Sequence, residues 1–155
     1  MKKNVTFLSL LTSLFLMSGC SGVTSRIKTI HDLNNAITST YIYGVFEVIV
    51  FVLIMLLIAS QISFSYAGKT DNSWKKRTVW FYIILVITVI ASFVTNYFVF
   101  YRRISNPQYQ NTYLMHMAIA AAVALTLYFV IGFVIIKIRS NKPYSKVGTI
   151  KPLGK

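Results

Sequence analysis

The sequence predicts an all-α membrane protein, a bundle of three transmembrane helices. Of its 155 residues, 55% are hydrophobic and only 12% are charged, whereas a soluble domain carries about 25% charged residues. Three apolar segments, 43–67, 78–101 and 113–136, each exceed the roughly 20 residues that a helix needs to cross a bilayer. Val and Ile are abundant in them, but a lone strand would leave backbone groups unpaired in lipid, so helices are expected.

The first twenty residues form a targeting segment. Lys2 and Lys3 precede an apolar stretch, 5–17, that is short for a membrane span. The motif Met17-Ser18-Gly19-Cys20 follows directly. It resembles the lipobox of bacterial lipoproteins, in which signal peptidase II cuts before a Cys that carries a diacylglyceryl group.

The resemblance implies that residues 1–19 are removed and that Cys20 receives a covalent diacylglycerol and an N-acyl chain. It also implies that the mature N-terminus lies outside the cytoplasmic membrane. Cys20 is the only cysteine, so an internal disulfide is impossible. The alternative is an ordinary buried thiol, but the position of Cys20 directly after an apolar stretch favours lipidation.

These features divide the chain into eight expected segments. They are a signal peptide (1–19), a lipidated extracytoplasmic amphipathic segment (20–42), a first span (43–67), a cytoplasmic loop (68–77), a second span (78–101), an extracytoplasmic loop (102–112), a third span (113–136) and a basic cytoplasmic tail (137–155). Little of the chain is left for a separate domain with its own core.

The basic residues predict the orientation of the bundle. The net charge is +13, from 16 basic residues against three acidic ones. Ten of the basic residues fall in the loop 68–77 and the tail 137–155, and the opposite side has only Arg26, Lys28, Arg102 and Arg103. Because Lys and Arg are enriched on the cytoplasmic side, the tail is expected in the cytoplasm of a bacterial inner membrane. Basic residues at helix ends favour membrane lipids, not nucleic acid, as partners.

The polar segments on either side of the spans have different patterns. In 20–42, apolar residues recur at gaps of four, three, three and four, which predicts a short amphipathic helix lying on the outer leaflet; a flexible tether is the alternative. The tail contains Pro143, Pro152, two glycines and no acidic residue after position 140, so it is expected to be disordered when alone. A solvated tail and a tail that binds anionic lipid or an acidic partner both fit this composition.

Three polar side chains fall at one depth in the three spans. Glu47, Asn96 and His116 each lie four or five residues inside the same end of the bundle, or roughly 6–8 Å below the interface. They are expected to form an intramembrane polar cluster. It has three possible roles: joining the helices, contacting another protein, or handling protons or ions. In a fourth interpretation, Glu47 extends outward to the headgroups or pairs with Arg102 or Arg103.

Small residues predict close helix packing. In the third span, Ala118 with Ala122 and Ala120 with Ala124 form two rows at a spacing of four. In the second span, Thr88 and Ser92 have the same spacing. Such rows let helix backbones approach each other. One alanine row is expected to serve the bundle and the other to remain available to another subunit.

The sequence contains no catalytic motif. It has no nucleophile–base pair, no metal-ligand spacing and no Gly-rich phosphate loop, so no enzyme, metal or cofactor beyond the lipid on Cys20 is expected. The favoured function is a non-enzymatic inner-membrane lipoprotein that anchors or scaffolds a multiprotein cell-envelope complex, such as a secretion or conjugation apparatus. Its expected partners are membrane lipids and other subunits of the envelope complex, with a second copy of this chain as an open alternative. The alternatives are a holin-like or pore-forming small oligomer and a small regulator of a membrane enzyme.

Overall fold

Three long helices make up most of the described chain. The computed structural model describes residues 26–64, 66–67, 70–71, 73–140 and 145–152. Helix α1 spans Ile30–Gln61, α2 spans Ser73–Val99 and α3 spans Pro107–Ser140. Each is long and apolar enough to cross a membrane, so the predicted three-helix membrane architecture is confirmed. The predicted signal peptide and Cys20 lie outside the described residues.

The connections between the helices are short. A hairpin of two-residue strands, β1 (Tyr66–Ala67) and β2 (Thr70–Asp71), lies between α1 and α2. A 3₁₀ turn, Tyr101–Arg103, leads from α2 toward α3. Each helix packs against both of the others. We call the end that holds the 3₁₀ turn and the start of α1 the turn end, and the opposite end the tail end.

Helix α1 corrects the prediction of a separate surface helix in 20–42. A capping box starts it at Thr29: the Thr29 hydroxyl accepts from the Asp32 amide at 3.1 Å, and the Asp32 carboxylate accepts from the Thr29 amide at 3.2 Å. From Ile30 the helix continues without a break into the first span. At 1.5 Å per residue its 32 residues extend about 48 Å, well beyond the roughly 30 Å of hydrocarbon. Of the apolar residues in this segment, Ile27 and Leu33 are buried in the bundle, whereas Ile30 remains exposed.

The helix boundaries differ from those of the predicted spans. Helix α1 ends at Gln61 instead of 67, α2 begins at Ser73 instead of 78, and α3 begins at Pro107 instead of 113. Proline suits the first position of a helix, where its missing N–H has no intrahelical partner. Hydropathy shows which residues suit lipid. It does not show where a helix begins or ends, because capping and turn residues decide that.

The core has two apolar clusters. The cluster at the turn end joins residues before and in α1 to the start of α3: Ile27, Leu33, Ala36, Phe100, Ile104, Tyr113 and Met117. The larger cluster fills the rest of the bundle and reaches the tail end: Val48, Val52, Met55, Ala59, Phe81, Ile84, Ala124, Tyr128, Ile136 and Ile150. Close van der Waals packing of this kind is what holds helices together in lipid.

Part of the tail, which was expected to be disordered when alone, is ordered where it packs against the bundle. Residues 145–152 include a 3₁₀ turn, Val147–Thr149, and Ile150 is only 2% exposed. The Arg77 guanidinium donates to the Thr149 hydroxyl at 2.5 Å and to the Ile62 carbonyl at 3.1 Å. These contacts connect the tail to the start of α2 and the end of α1. The apolar side chain of Ile150 explains the difference, because it extends the larger core cluster.

Candidate functional site

The buried carboxylate of Glu47 is the most unusual group in the described bundle. Glu47 lies on α1 and is only 2% exposed. Neither of its carboxylate oxygens accepts a hydrogen bond of normal geometry from any described residue. The side chains of Thr95 and Ser92 on α2 interact with it, but outside hydrogen-bonding distance or angle. A buried charge without a partner is strongly unfavourable, so this position demands an explanation.

Helix α2 carries further polar groups on the face that it turns toward the bundle interior. Ser92 and Asn96, one helical turn apart, are 0% and 1% exposed. The Asn96 amide nitrogen donates to the Ser92 carbonyl at 2.8 Å, whereas the Asn96 side-chain oxygen and the Ser92 hydroxyl have no hydrogen-bond partner. Thr88, by contrast, donates to the Ile84 carbonyl at 2.7 Å. We call Glu47, Ser92, Thr95 and Asn96 the Glu47 site.

His116 contacts Tyr41, whereas it was expected to meet Glu47 and Asn96. Its Nδ1 lies 3.2 Å from the Tyr41 hydroxyl, and the two rings meet edge to face. His116 is only partly buried. The three residues at one depth therefore divide into two groups: Glu47 and Asn96 face the interior, and His116 forms a pair with Tyr41.

Arg102 and Arg103 do not pair with Glu47 in the described structure. Both lie in the 3₁₀ turn beyond the end of α2. The Arg102 guanidinium is placed over the Phe98 ring, 5.6 Å from its centroid, and the Arg103 carbonyl accepts from the Ile27 amide at 3.1 Å. The interpretation of Glu47 as a carboxylate that reaches outward to an arginine is wrong for this structure, because Glu47 faces the interior.

The two alanine rows of α3 face in different directions. Ala120 and Ala124 are buried in the bundle, and Ala118 and Ala122 are exposed. The Thr88 and Ser92 row of α2 is fully buried. One row therefore serves internal packing, and the second leaves a small-residue surface on the outside of α3.

Some buried polar contacts had no clear signal in the sequence. The Tyr113 hydroxyl lies 2.5 Å from the Thr40 hydroxyl, and the Tyr128 hydroxyl donates to the Phe81 carbonyl at 3.1 Å. Thr95 had a weak signal, since it adjoins Asn96 and follows Ser92 by three residues. Among the described residues, no group of three or more His, Cys, Asp or Glu side chains is placed to hold a metal ion.

Comparisons with known proteins give no relative. No protein-family model matches the chain, no curated protein matches it, and no solved structure matches it. Its function is therefore inferred from its own residues.

Proposed function

We propose that this multi-pass membrane protein is a non-enzymatic lipoprotein of the bacterial inner membrane. In this proposal it anchors or scaffolds a multiprotein cell-envelope complex, such as a secretion or conjugation apparatus. One observation supports it above the others: nearly all of the described chain belongs to the membrane bundle, and large apolar side chains are exposed along all three helices. A chain of this design offers other proteins mainly a surface within the membrane.

The membrane surface includes a place suited to another helix. Ala118 and Ala122 form an exposed small-residue row on α3, where a second helix can approach more closely than along rows of Leu or Ile. The lipobox motif at Cys20 and the excess of basic residues in 68–77 and 137–155 support a lipid anchor outside and a basic surface inside.

The alternative functions have less support. A pore requires polar side chains on a face that several subunits share, but Glu47, Ser92 and Asn96 are all buried inside one bundle. A regulator that acts through its basic tail needs that tail to be available, yet Ile150 belongs to the bundle core.

The test is purification of the tagged full-length protein from membranes in mild detergent. We expect several envelope proteins to co-purify. The double variant Ala118→Leu/Ala122→Leu should lose them, because the larger side chains keep a partner helix away. The matched control is Val130→Leu/Val134→Leu, which changes two exposed residues of α3 at the same spacing and should retain the partners. Recovery of this chain alone as a homo-oligomer supports the pore, and recovery of one enzyme supports the regulator; either result contradicts the scaffold.

A further inference from the structure

The Glu47 site has a carboxylate whose polar neighbours, the hydroxyls of Thr95 and Ser92, carry no charge. Four oxygen atoms of its three most buried residues have no partner among the described residues: both carboxylate oxygens of Glu47, the Ser92 hydroxyl oxygen and the Asn96 side-chain oxygen. Buried polar groups in native proteins almost always have a partner, and a buried charge is costly unless it is paired. The hydroxyls of Ser92 and Thr95 can donate but are neutral, so the buried carboxylate indicates that a positive charge belongs there.

Among the described residues, the titratable groups at this end of the bundle do not supply that positive charge. The titratable groups that α3 brings to the turn end have other contacts, because Tyr113 lies against Thr40 and His116 against Tyr41. Helix α2 contributes no titratable group to the site, and the Asn96 amide nitrogen already donates to the Ser92 carbonyl. The nearby arginines of the 3₁₀ turn, Arg102 and Arg103, do not bond to Glu47.

A ligand from outside must be very small. Glu47, Ser92 and Asn96 are each at most 2% exposed, so a lysine or arginine side chain of a partner helix cannot reach them. A hydrated metal ion would have to lose its water and find several oxygen ligands in a fixed geometry. A proton needs no coordination shell, and it removes the charge that is costly in an apolar interior.

We propose that Glu47, Ser92 and Asn96 form an internal proton-binding site. One proton adds to the Glu47 carboxylate and converts it into a carboxylic acid, which is a donor and an acceptor at once. Its O–H donates to the oxygen of Asn96 or Ser92, and the Ser92 hydroxyl donates its own hydrogen to the other carboxyl oxygen. A single proton thus connects α1 to α2 through hydrogen bonds. The site is independent of the lipid anchor and of any partner complex.

The test is infrared spectroscopy of the full-length protein in liposomes at neutral pH, in buffer with choline as the only added cation. We expect the carbonyl stretch of a protonated carboxyl group in the wild type. It should shift on exchange into D₂O and be absent from Glu47→Gln, whose amide keeps both a donor and an acceptor. Because the chain has only three acidic residues, assignment is direct. Asp32→Asn is the matched control and should retain the whole band, since Asp32 lies at the capping box outside the core.

Three results would overturn the proposal. The first is a wild-type spectrum that contains only carboxylate bands at neutral pH. The second is a protonated band that Glu47→Gln retains. The third is a band that disappears when Na⁺ replaces choline at constant pH, because the site then takes a metal ion.

A second measurement uses the wild type as its own reference. Between the pH at which Glu47 ionises in the unfolded chain and the pH at which the carboxyl band converts to carboxylate, only the folded protein holds the proton. Thermal stability should therefore fall as the pH rises across this range and level off once the band has converted. Glu47→Gln should lack this step. A wild-type melting temperature without any such step would contradict the proposal even if the infrared band were present.

Discussion

At the residue scale, contact between α2 and α3 depends on Gly132. A Cβ atom at this position would lie 2.8 Å from Cε2 and 3.4 Å from Cζ of the Phe81 ring. Phe81 is fully buried, and the rings of Tyr128 and Phe129 pack around it, with centroids 5.4 and 6.2 Å away. The ring therefore has little freedom to move aside. Gly132 is the small residue that brings these two helices together, although its single position gives no row in the sequence.

We expect Gly132→Ala to destabilise the bundle by about 1–3 kcal/mol, the usual cost of overpacking a core. The control is Gly44→Ala, because a Cβ at Gly44 meets no atom within 4 Å. That change should be neutral or stabilising by up to about 1 kcal/mol, since alanine favours helix more than glycine does. Thermal unfolding of both variants in the same detergent, followed by circular dichroism, measures the difference. Equal melting temperatures would mean that Phe81 rearranges without cost.

The polar residues show what sequence reasoning predicts at this scale and what it misses. The depth of Glu47, Asn96 and His116 can be counted along each span, and their common level was a sound basis for expecting contact. The rotation of each helix about its own axis cannot be obtained by counting residues. It places Asn96 on the interior face and His116 beside Tyr41. Residues at one depth meet only if their helices also present them to each other.

At the element scale, residues 145–152 form a strap across the tail end. Ile150 extends the core cluster, the Lys151 amide donates to the Thr78 hydroxyl at 3.1 Å, and the Tyr82 hydroxyl donates to the Pro152 carbonyl. Composition predicted disorder for the tail because prolines, glycines and lysines dominate it. A single isoleucine hardly changes the average hydrophobicity of residues 140–155, yet its burial places this segment against the bundle.

We expect Ile150→Asp to release the strap. Full burial of an isoleucine contributes about 2 kcal/mol, and its loss should raise the open fraction of the segment roughly tenfold or more. Trypsin should then cut after Lys146 correspondingly faster than in the wild type, whereas the bond between Lys151 and Pro152 resists trypsin in both proteins. The control is Ile30→Asp, the same substitution at an exposed position near the start of α1, which should leave these cleavage rates unchanged. Unaltered cleavage in Ile150→Asp would show that the polar contacts alone retain the strap.

At the scale of the whole molecule, the proposed orientation combines the basic residues with the lipobox motif. Ten basic residues in 68–77 and 137–155 face four on the other side, and the three spans join opposite faces of the membrane. We expect a fusion of alkaline phosphatase after Lys155 to be inactive and a fluorescent-protein fusion at the same place to be bright, because the C-terminus is proposed to be cytoplasmic. The control is each fusion placed after Asn106, between α2 and α3, which should give the opposite result. An active phosphatase after Lys155 would reverse the orientation.

Lipidation is the second prediction at this scale. The intact mass of the protein extracted from membranes should correspond to the loss of residues 1–19 and the addition of acyl chains to Cys20. Cys20→Ser should remain unprocessed and unacylated, and a Ser21→Ala protein should be processed normally as the control. An unchanged processing pattern in Cys20→Ser would contradict the lipobox interpretation.

The contact between Arg77 and Thr149 also bears on the order in which the protein is made. Thr149 is translated 72 residues after Arg77, so a ribosome completes all three helices before the partner hydroxyl emerges. While α2 inserts, the charge of Arg77 is available to the headgroup region, where we propose that it helps to set orientation. Once the strap arrives, the same guanidinium is enclosed between the Ile62 carbonyl and Thr149. On this proposal, Arg77 acts first as a topogenic signal on the nascent chain and later as a contact that holds the strap against the bundle.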